Sequence, residues 1–359
     1  MKNIKSLALM LFVLSSIISA QNIKIFGDAV VRPRYDAIDQ GNFANSTYDF
    51  HYLYRARLNV RSELDQNWFF QTQLAHAGYG SFAFAGFERT EYRIPGSIEG
   101  AIRPGVHFMN LYFGRSGDDW SLMAGLLPVN GLENPLLDIH YYPSRIVDIP
   151  FALFSVNGAF GATGHFNLAG NKFEYSAYLD GNEGKFVESP AGNELYSKHD
   201  NYTFMLRYNI AAGGFTVSPV VMYALANDST AAPLTLGGIV KLPEVGGVKL
   251  SAVVGTSSQS KVGTTEYSIF YSRVRGDMPI GPATFTLWFD FATRTDKYTA
   301  GDEEHTFTYI WAKYNYPVVK TDKGSLYVGP TFRWATDKAD NVKDFSRIKA
   351  EVTVTYTFR

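Results

Sequence analysis

The sequence predicts an all-β fold, a transmembrane antiparallel β-barrel of about sixteen strands within a range of about fourteen to eighteen. Three observations carry this expectation. Phe345 to Phe358 alternates: Ser346, Ile348, Ala350, Val352, Val354, Tyr356 and Phe358 fall on one side, Arg347, Lys349, Glu351, Thr353, Thr355 and Thr357 on the other. Period-two alternation places the two sets on opposite faces of a strand, here an apolar exterior and a charged interior. Phe50 to Glu63 repeats the pattern, with Tyr52, Tyr54, Ala56, Leu58 and Val60 opposing His51, Arg55, Arg57, Asn59, Arg61 and Glu63, and Leu53 as the exception. Finally, short turns and long connections alternate along the chain, as periplasmic turns and extracellular loops do in membrane barrels.

The elements follow in order. Lys2 and Lys5 precede an apolar run from Leu7 to Ile18, and Ser19-Ala20 offers small residues before Gln21. This reads as a cleavable export leader, residues 1–20, followed by one barrel domain, residues 21–359. The run is too short to span a bilayer as a helix. Strands are predicted at 23–35, 50–63, 68–77, 106–115, 120–127, 151–166, 173–179 and 201–210. The second half gives 215–225, 234–242, 248–257, 265–275, 283–294, 305–316, 326–335 and 345–358. Leu64–Asn67, Ser116–Asp119, Leu168–Asn171, Ala211–Gly214 and Pro243–Gly247 are rich in turn formers. Asp36–Asp49, Gly78–Gly105, Pro128–Pro150, Asp180–Asp200 and Thr295–Glu304 are expected as the longer loops. A barrel of this size is too wide for side chains to fill and is expected to enclose water.

Composition narrows the function. The chain has no cysteine, which excludes disulfides and thiolate chemistry. Its 33 Lys and Arg against 34 Asp and Glu leave no net field to favour nucleic acid. The histidines are scattered with no pair at metal-ligand spacing, so no metal, cofactor or catalytic residue is expected. Gly301 to His305 carries oxygen ligands but lacks an EF-hand spacing and reads as an acidic solvated loop. Trp68, Trp120, Trp311 and Trp334 sit near strand ends and read as an interfacial girdle, with a pore-lining slide for sugars as the alternative for some of them. Gly158, Gly161 and Gly164 read as bends or a close approach of the internal loop.

Charge is uneven within the barrel. Arg32, Arg34, Arg55, Arg57, Arg61, Arg347 and Lys349 lie on the polar faces of strands one, two and sixteen. Those strands become neighbours on closure, so these residues are expected to form one basic wall, offset in part by Asp28, Glu63 and Glu351. Pro128 to Pro150 joins strands five and six and is long for a structureless connection.

The leader, the strand count, the turn-and-loop alternation and the terminal Thr355-Tyr356-Thr357-Phe358 together resemble a Gram-negative outer-membrane porin across the whole mature chain. The resemblance implies an outer-membrane location, contact with lipid, assembly through the C-terminal strand by the barrel-assembly machinery, and a homotrimer. It also implies that the loop after strand five folds inward and sets Glu133, Asp138 and Asp148 opposite Arg55, Arg57 and Arg61. The chain departs from the pattern in ending on Arg359 and in lacking Pro-Glu-Phe-Gly-Gly in that loop. The leading expectation is passive diffusion of small hydrophilic solutes with a mild anion preference. A substrate-selective channel for anions or oligosaccharides, a barrel enzyme and an adhesin stay open as alternatives.

Overall fold

The computed structural model describes residues 22–39, 47–76, 83–85, 106–128, 158–180, 187–188, 194–195, 201–225, 234–262, 265–298, 301–339 and 342–359. Sixteen antiparallel strands close into a barrel. The first half comprises β1 (Asn22–Asp39), β2 (Thr47–Glu63), β3 (Trp68–His76), β4 (Val106–Ser116), β5 (Trp120–Pro128), β6 (Gly158–Leu168), β7 (Asn171–Asp180) and β8 (Asn201–Ala212). The second half comprises β9 (Phe215–Leu225), β10 (Leu234–Lys241), β11 (Lys249–Val262), β12 (Thr265–Ile280), β13 (Ala283–Tyr298), β14 (Gly301–Thr321), β15 (Gly324–Ala339) and β16 (Val342–Phe358). Each strand pairs with its successor, and β1 pairs with β16 from Gly27↔Phe358 to Asp39↔Ser346. Closure therefore leaves no free sheet edge at the seam. Ala83–Ala85 continues the line of β3 along β2 through Tyr52↔Ala85 and Tyr54↔Ala83. Val187–Glu188 and Glu194–Leu195 pair separately.

Local chemistry sets the short-turn end. Gly213 and Gly214 have φ of 58° and 84° and link β8 to β9 in a two-residue turn. Positive φ at both central residues suits the twist of a hairpin and is open to glycine without strain. At the opposite end the connections fall largely outside the described residues, as does the leader.

One expected loop is strand instead. Thr295 to Glu304 was predicted to leave the sheet, yet β13 runs to Tyr298 and β14 begins at Gly301, with Asp296↔Glu303 and Lys297↔Asp302 paired. Cross-strand and in-strand ion pairs hold this polar run in the ladder: Lys297 Nζ lies 2.8 Å from Glu266 and Arg294 Nη2 2.6 Å from Asp296. Charge density had been taken as a loop signal, and here it serves strand pairing. Gly301–His305 is accordingly strand, and no group of three metal-ligating side chains forms among the described residues.

Alternation separates the faces as anticipated. Ile25, Val31, Leu58, Phe113, Phe204, Leu206, Phe289 and Val352 are exposed on the outer face. A lone Leu53 on the inner face packs against Val30, each 3% exposed. Replacing Val31, half exposed on the outside, by Arg is expected to cost about 2–4 kcal/mol near the bilayer midplane. Urea titration of the refolded barrel in lipid checks this, with the charge-neutral Val31→Thr expected to cost far less.

The inside differs from expectation in one respect. From β7 to β12 the inner face carries Tyr178, Met205, Val220, Met222, Ile239, Val253, Ile269 and Tyr271, all 4% exposed or less and packed together. Only the part of the wall around the seam is dense in charge. Gly161 and Gly164 sit on β6 where a Cβ would come within 2.1 Å of the Ala177 carbonyl and 2.2 Å of the Ser121 carbonyl. The close approach is of neighbouring strands and not of the internal loop.

Candidate functional site

The seam of the barrel concentrates its ionisable groups. On β1 the even positions Asp28, Arg32, Arg34 and Asp36 face inward, while Ala29, Val31 and Tyr35 face out. Register then brings partners from the far end of the chain: Arg34 lies across from Glu351, Asp36 from Lys349 and Ile38 from Arg347. On the other side Asp28 lies across from Arg57 and Val30 from Arg55.

Carboxylates are shared among cations throughout this wall. Glu351 accepts from Arg34 Nε at 2.8 Å and Arg333 Nη2 at 2.5 Å, with Arg32 Nε at 3.6 Å. Asp36 is held by both arms of Arg347 at 2.8 and 2.7 Å, with Lys349 Nζ at 3.6 Å. Asp28 takes Arg55 Nη2 at 2.9 Å and Arg57 Nε at 2.5 Å. Near the short-turn rim Glu63 binds Arg61 Nε and Lys24 Nζ, each at 3.1 Å. Each of these acids faces two or three cations among the described residues. Desolvated and hydrogen-bonded pairs of this kind also hold their geometry firmly.

The remaining wall is closer to balance. Arg273 grips Asp290 with two bonds of 2.6 and 2.7 Å, and Arg275 grips Asp277 at 2.9 and 3.0 Å. Glu174 binds Arg207 and, at 2.8 Å, Lys172. At the rim opposite the short turns, His305 lies 3.0 Å from Asp337 and 3.3 Å from Glu303. Exposure varies with height. Arg333, Lys349, Tyr271, Thr235 and Ser257 expose 2% or less, whereas the side chain of Lys24 at the rim is 61% exposed. The wall is shielded from water at mid-height and wet at the short-turn end.

Arg32 and Arg34 thus gather on Glu351, Arg347 and Lys349 on Asp36, and Arg55 and Arg57 on Asp28, three clusters on adjoining strands, while Arg61 belongs to a rim cluster and lies over the Phe69 ring at 4.2 Å. Glu133, Asp138 and Asp148 lie outside the described residues. Sequence reasoning missed Arg333 and Asp36 as members. Arg333 sits in alternating register beside β16 and was legible as such; Asp36 had been given to a loop. Of the two readings of Trp311, girdle or pore lining, the structure gives the second: Trp311 shares the inner face with Tyr309 and Lys313 and meets Trp288 edge to face, with ring centroids 3.9 Å apart. Trp68 and Trp120 are 42% and 40% exposed on the outside at the short-turn end, a girdle position. A Ser–His contact was also missed: Ser121 Oγ lies 2.6 Å from His165 Nδ1 inside the barrel. No carboxylate hydrogen-bonds that imidazole among the described residues, and the neighbouring Glu174 is engaged by Arg207, Lys172 and Asn209.

No family model matches the chain, and no curated protein matches it. Solved structures do. The anion-selective porin from Comamonas acidovorans aligns over 94% of this chain and 100% of its own, with a TM-score of 0.55 and 14% identity. OprB of Pseudomonas putida aligns over 96% of each chain with a TM-score of 0.57 and 10% identity. The outer-membrane OmpT of Vibrio cholerae covers 94% of this chain and 98% of its own, with a TM-score of 0.55 and 9% identity. The fold is that of a porin-like outer-membrane barrel.

Proposed function

We propose that the chain is an outer-membrane channel through which small hydrophilic solutes diffuse passively, with a preference for anions, after removal of residues 1–20. The observation that carries this reading is the clustering of seven cations around Asp28, Asp36 and Glu351, each acid shared by two or three of them, on the inner wall of a closed barrel. Excess fixed positive charge raises the local anion concentration in a bore. The Comamonas neighbour is described as an anion-selective porin, which is consistent with that reading. The chemistry needs no cofactor. The Ser121–His165 contact has no orienting acid among the described residues, so it gives an enzymatic reading no triad geometry to build on.

The test is single-channel recording of the refolded protein in a planar bilayer under a potassium chloride gradient. Stable steps with an anion-leaning reversal potential are expected; silence from a folded barrel would remove the channel reading. In line with the trimeric form of the Vibrio neighbour, the assembly is expected to be a homotrimer, built into the membrane by the barrel-assembly machinery through β16. Glu133, Asp138 and Asp148 are proposed as constriction acids facing the basic wall. Deleting Leu136 to Tyr142 is then expected to raise single-channel conductance, and conductance equal to the parent would reject the constriction.

A further inference from the structure

A rung of side chains crosses five strands of the inner wall at one level. Arg275↔Trp288, Trp288↔Trp311, Trp311↔Arg333 and Arg333↔Lys349 are direct cross-strand pairs joining β12 to β16. The two indoles meet at 66° with centroids 3.9 Å apart. Guanidiniums flank them: Arg333 lies 4.3 Å from the Trp311 ring, and Arg273 and Arg275 lie 5.0 and 5.5 Å from the Trp288 ring. Lys313 follows on the same face, two residues along from Trp311.

Both indole Nε1 atoms are buried, and neither has an acceptor among the described residues. A tryptophan N–H only donates, and leaving one without an acceptor away from water is costly. Two such donors side by side are unusual in a native protein. The nearby carboxylates are already engaged: Glu351 by Arg32, Arg34 and Arg333, Asp290 by Arg273, and Asp277 by Arg275 and Thr286. Donors and positive charge converge here in excess of acceptors.

We propose that Trp288 and Trp311 form an oxyanion-binding subsite of the bore, an inference that rests on the channel reading and names the group it favours. The ligand is a small solute bearing a carboxylate or phosphate, whose oxygens accept from the two indole N–H groups. Arg275, Arg333 and Lys313 supply the surrounding field. Neutral donors backed by cations already clamped to acids give binding that is directional and releasable, as conduction requires.

The test uses the refolded full-length barrel in a planar bilayer. Chloride current is recorded at constant ionic strength while acetate or inorganic phosphate is titrated in. A saturable fall in current is expected, and the double variant Trp288→Phe/Trp311→Phe, which keeps both rings and removes both donors, is expected to raise the half-blocking concentration by about tenfold or more. Trp334→Phe, on the outer face, should match the parent. The single variants are recorded as well, so that poor refolding of the double leaves a readout. Block by acetate alone assigns the subsite to carboxylates, block by phosphate alone to phosphates, and block by both to oxyanions in general. No saturable block in the parent, or an unchanged half-blocking concentration in the variants, overturns the subsite. The reversal potential in potassium chloride reads the basic wall separately: an unselective barrel that is still blocked would reject the wall and keep the subsite.

Discussion

Replacing Glu351 by Gln is expected to destabilise the barrel by about 3–5 kcal/mol, the range for removing one partner from a buried ion pair. The carboxylate is fully buried and lies among Arg32, Arg34 and Arg333, whose side chains are 12%, 6% and 1% exposed. Its removal sets three guanidiniums against one another where water screens poorly. The shape of the side chain is kept, so packing loss contributes little. Urea unfolding in lipid followed by tryptophan fluorescence reads the change. Adding Arg333→Met to Glu351→Gln is expected to recover part of the loss, because the most buried of the three cations is withdrawn. A loss under about 1 kcal/mol, typical of an exposed pair, would mean that the shared carboxylate does not organise this wall.

The second large effect concerns selectivity. Arg55→Glu together with Arg57→Glu is expected to turn the proposed anion preference toward cations, because two positive charges become two negative ones beside Asp28. The neutral pair Arg55→Gln/Arg57→Gln should give an intermediate reversal potential. Clustering three carboxylates also strains that patch, and Asp28→Asn in the charge-reversed background relieves it while keeping the cation preference. An unchanged reversal potential in all three variants would refute selection by the basic wall.

The strands were legible because the outer face must be apolar while much of the inner face need not be, and period two exposes that difference residue by residue. All sixteen predicted segments coincide with strands of the barrel, though several ends moved. Alternation fails where both faces are apolar. Met205 shares the inner face with Thr203 and Arg207, yet it is apolar and packs with Tyr178, Val220 and Met222, so polarity alone does not mark which face of that strand is inner. Trp311 lies between Ile310 and Ala312, and an aromatic there fits lipid or bore equally by sequence. The basic residues were readable on each strand; what the sequence could not convey was the register that seats Glu351 among three arginines and Asp36 between Arg347 and Lys349.

The pairing of β1 with β16 has a temporal meaning. Arg34 and Glu351 are 317 positions apart, and Arg347 and Asp36 are separated by 311. Their contacts cannot form on a growing or half-inserted sheet, since both terminal strands must already be in place. The ion pairs that span the seam are therefore written last, by the same event that zips the cylinder shut, whereas Asp28 can meet Arg55 and Arg57 as soon as the first hairpin forms. The wall is thus completed, in its Glu351 and Asp36 clusters, only when the barrel is sealed.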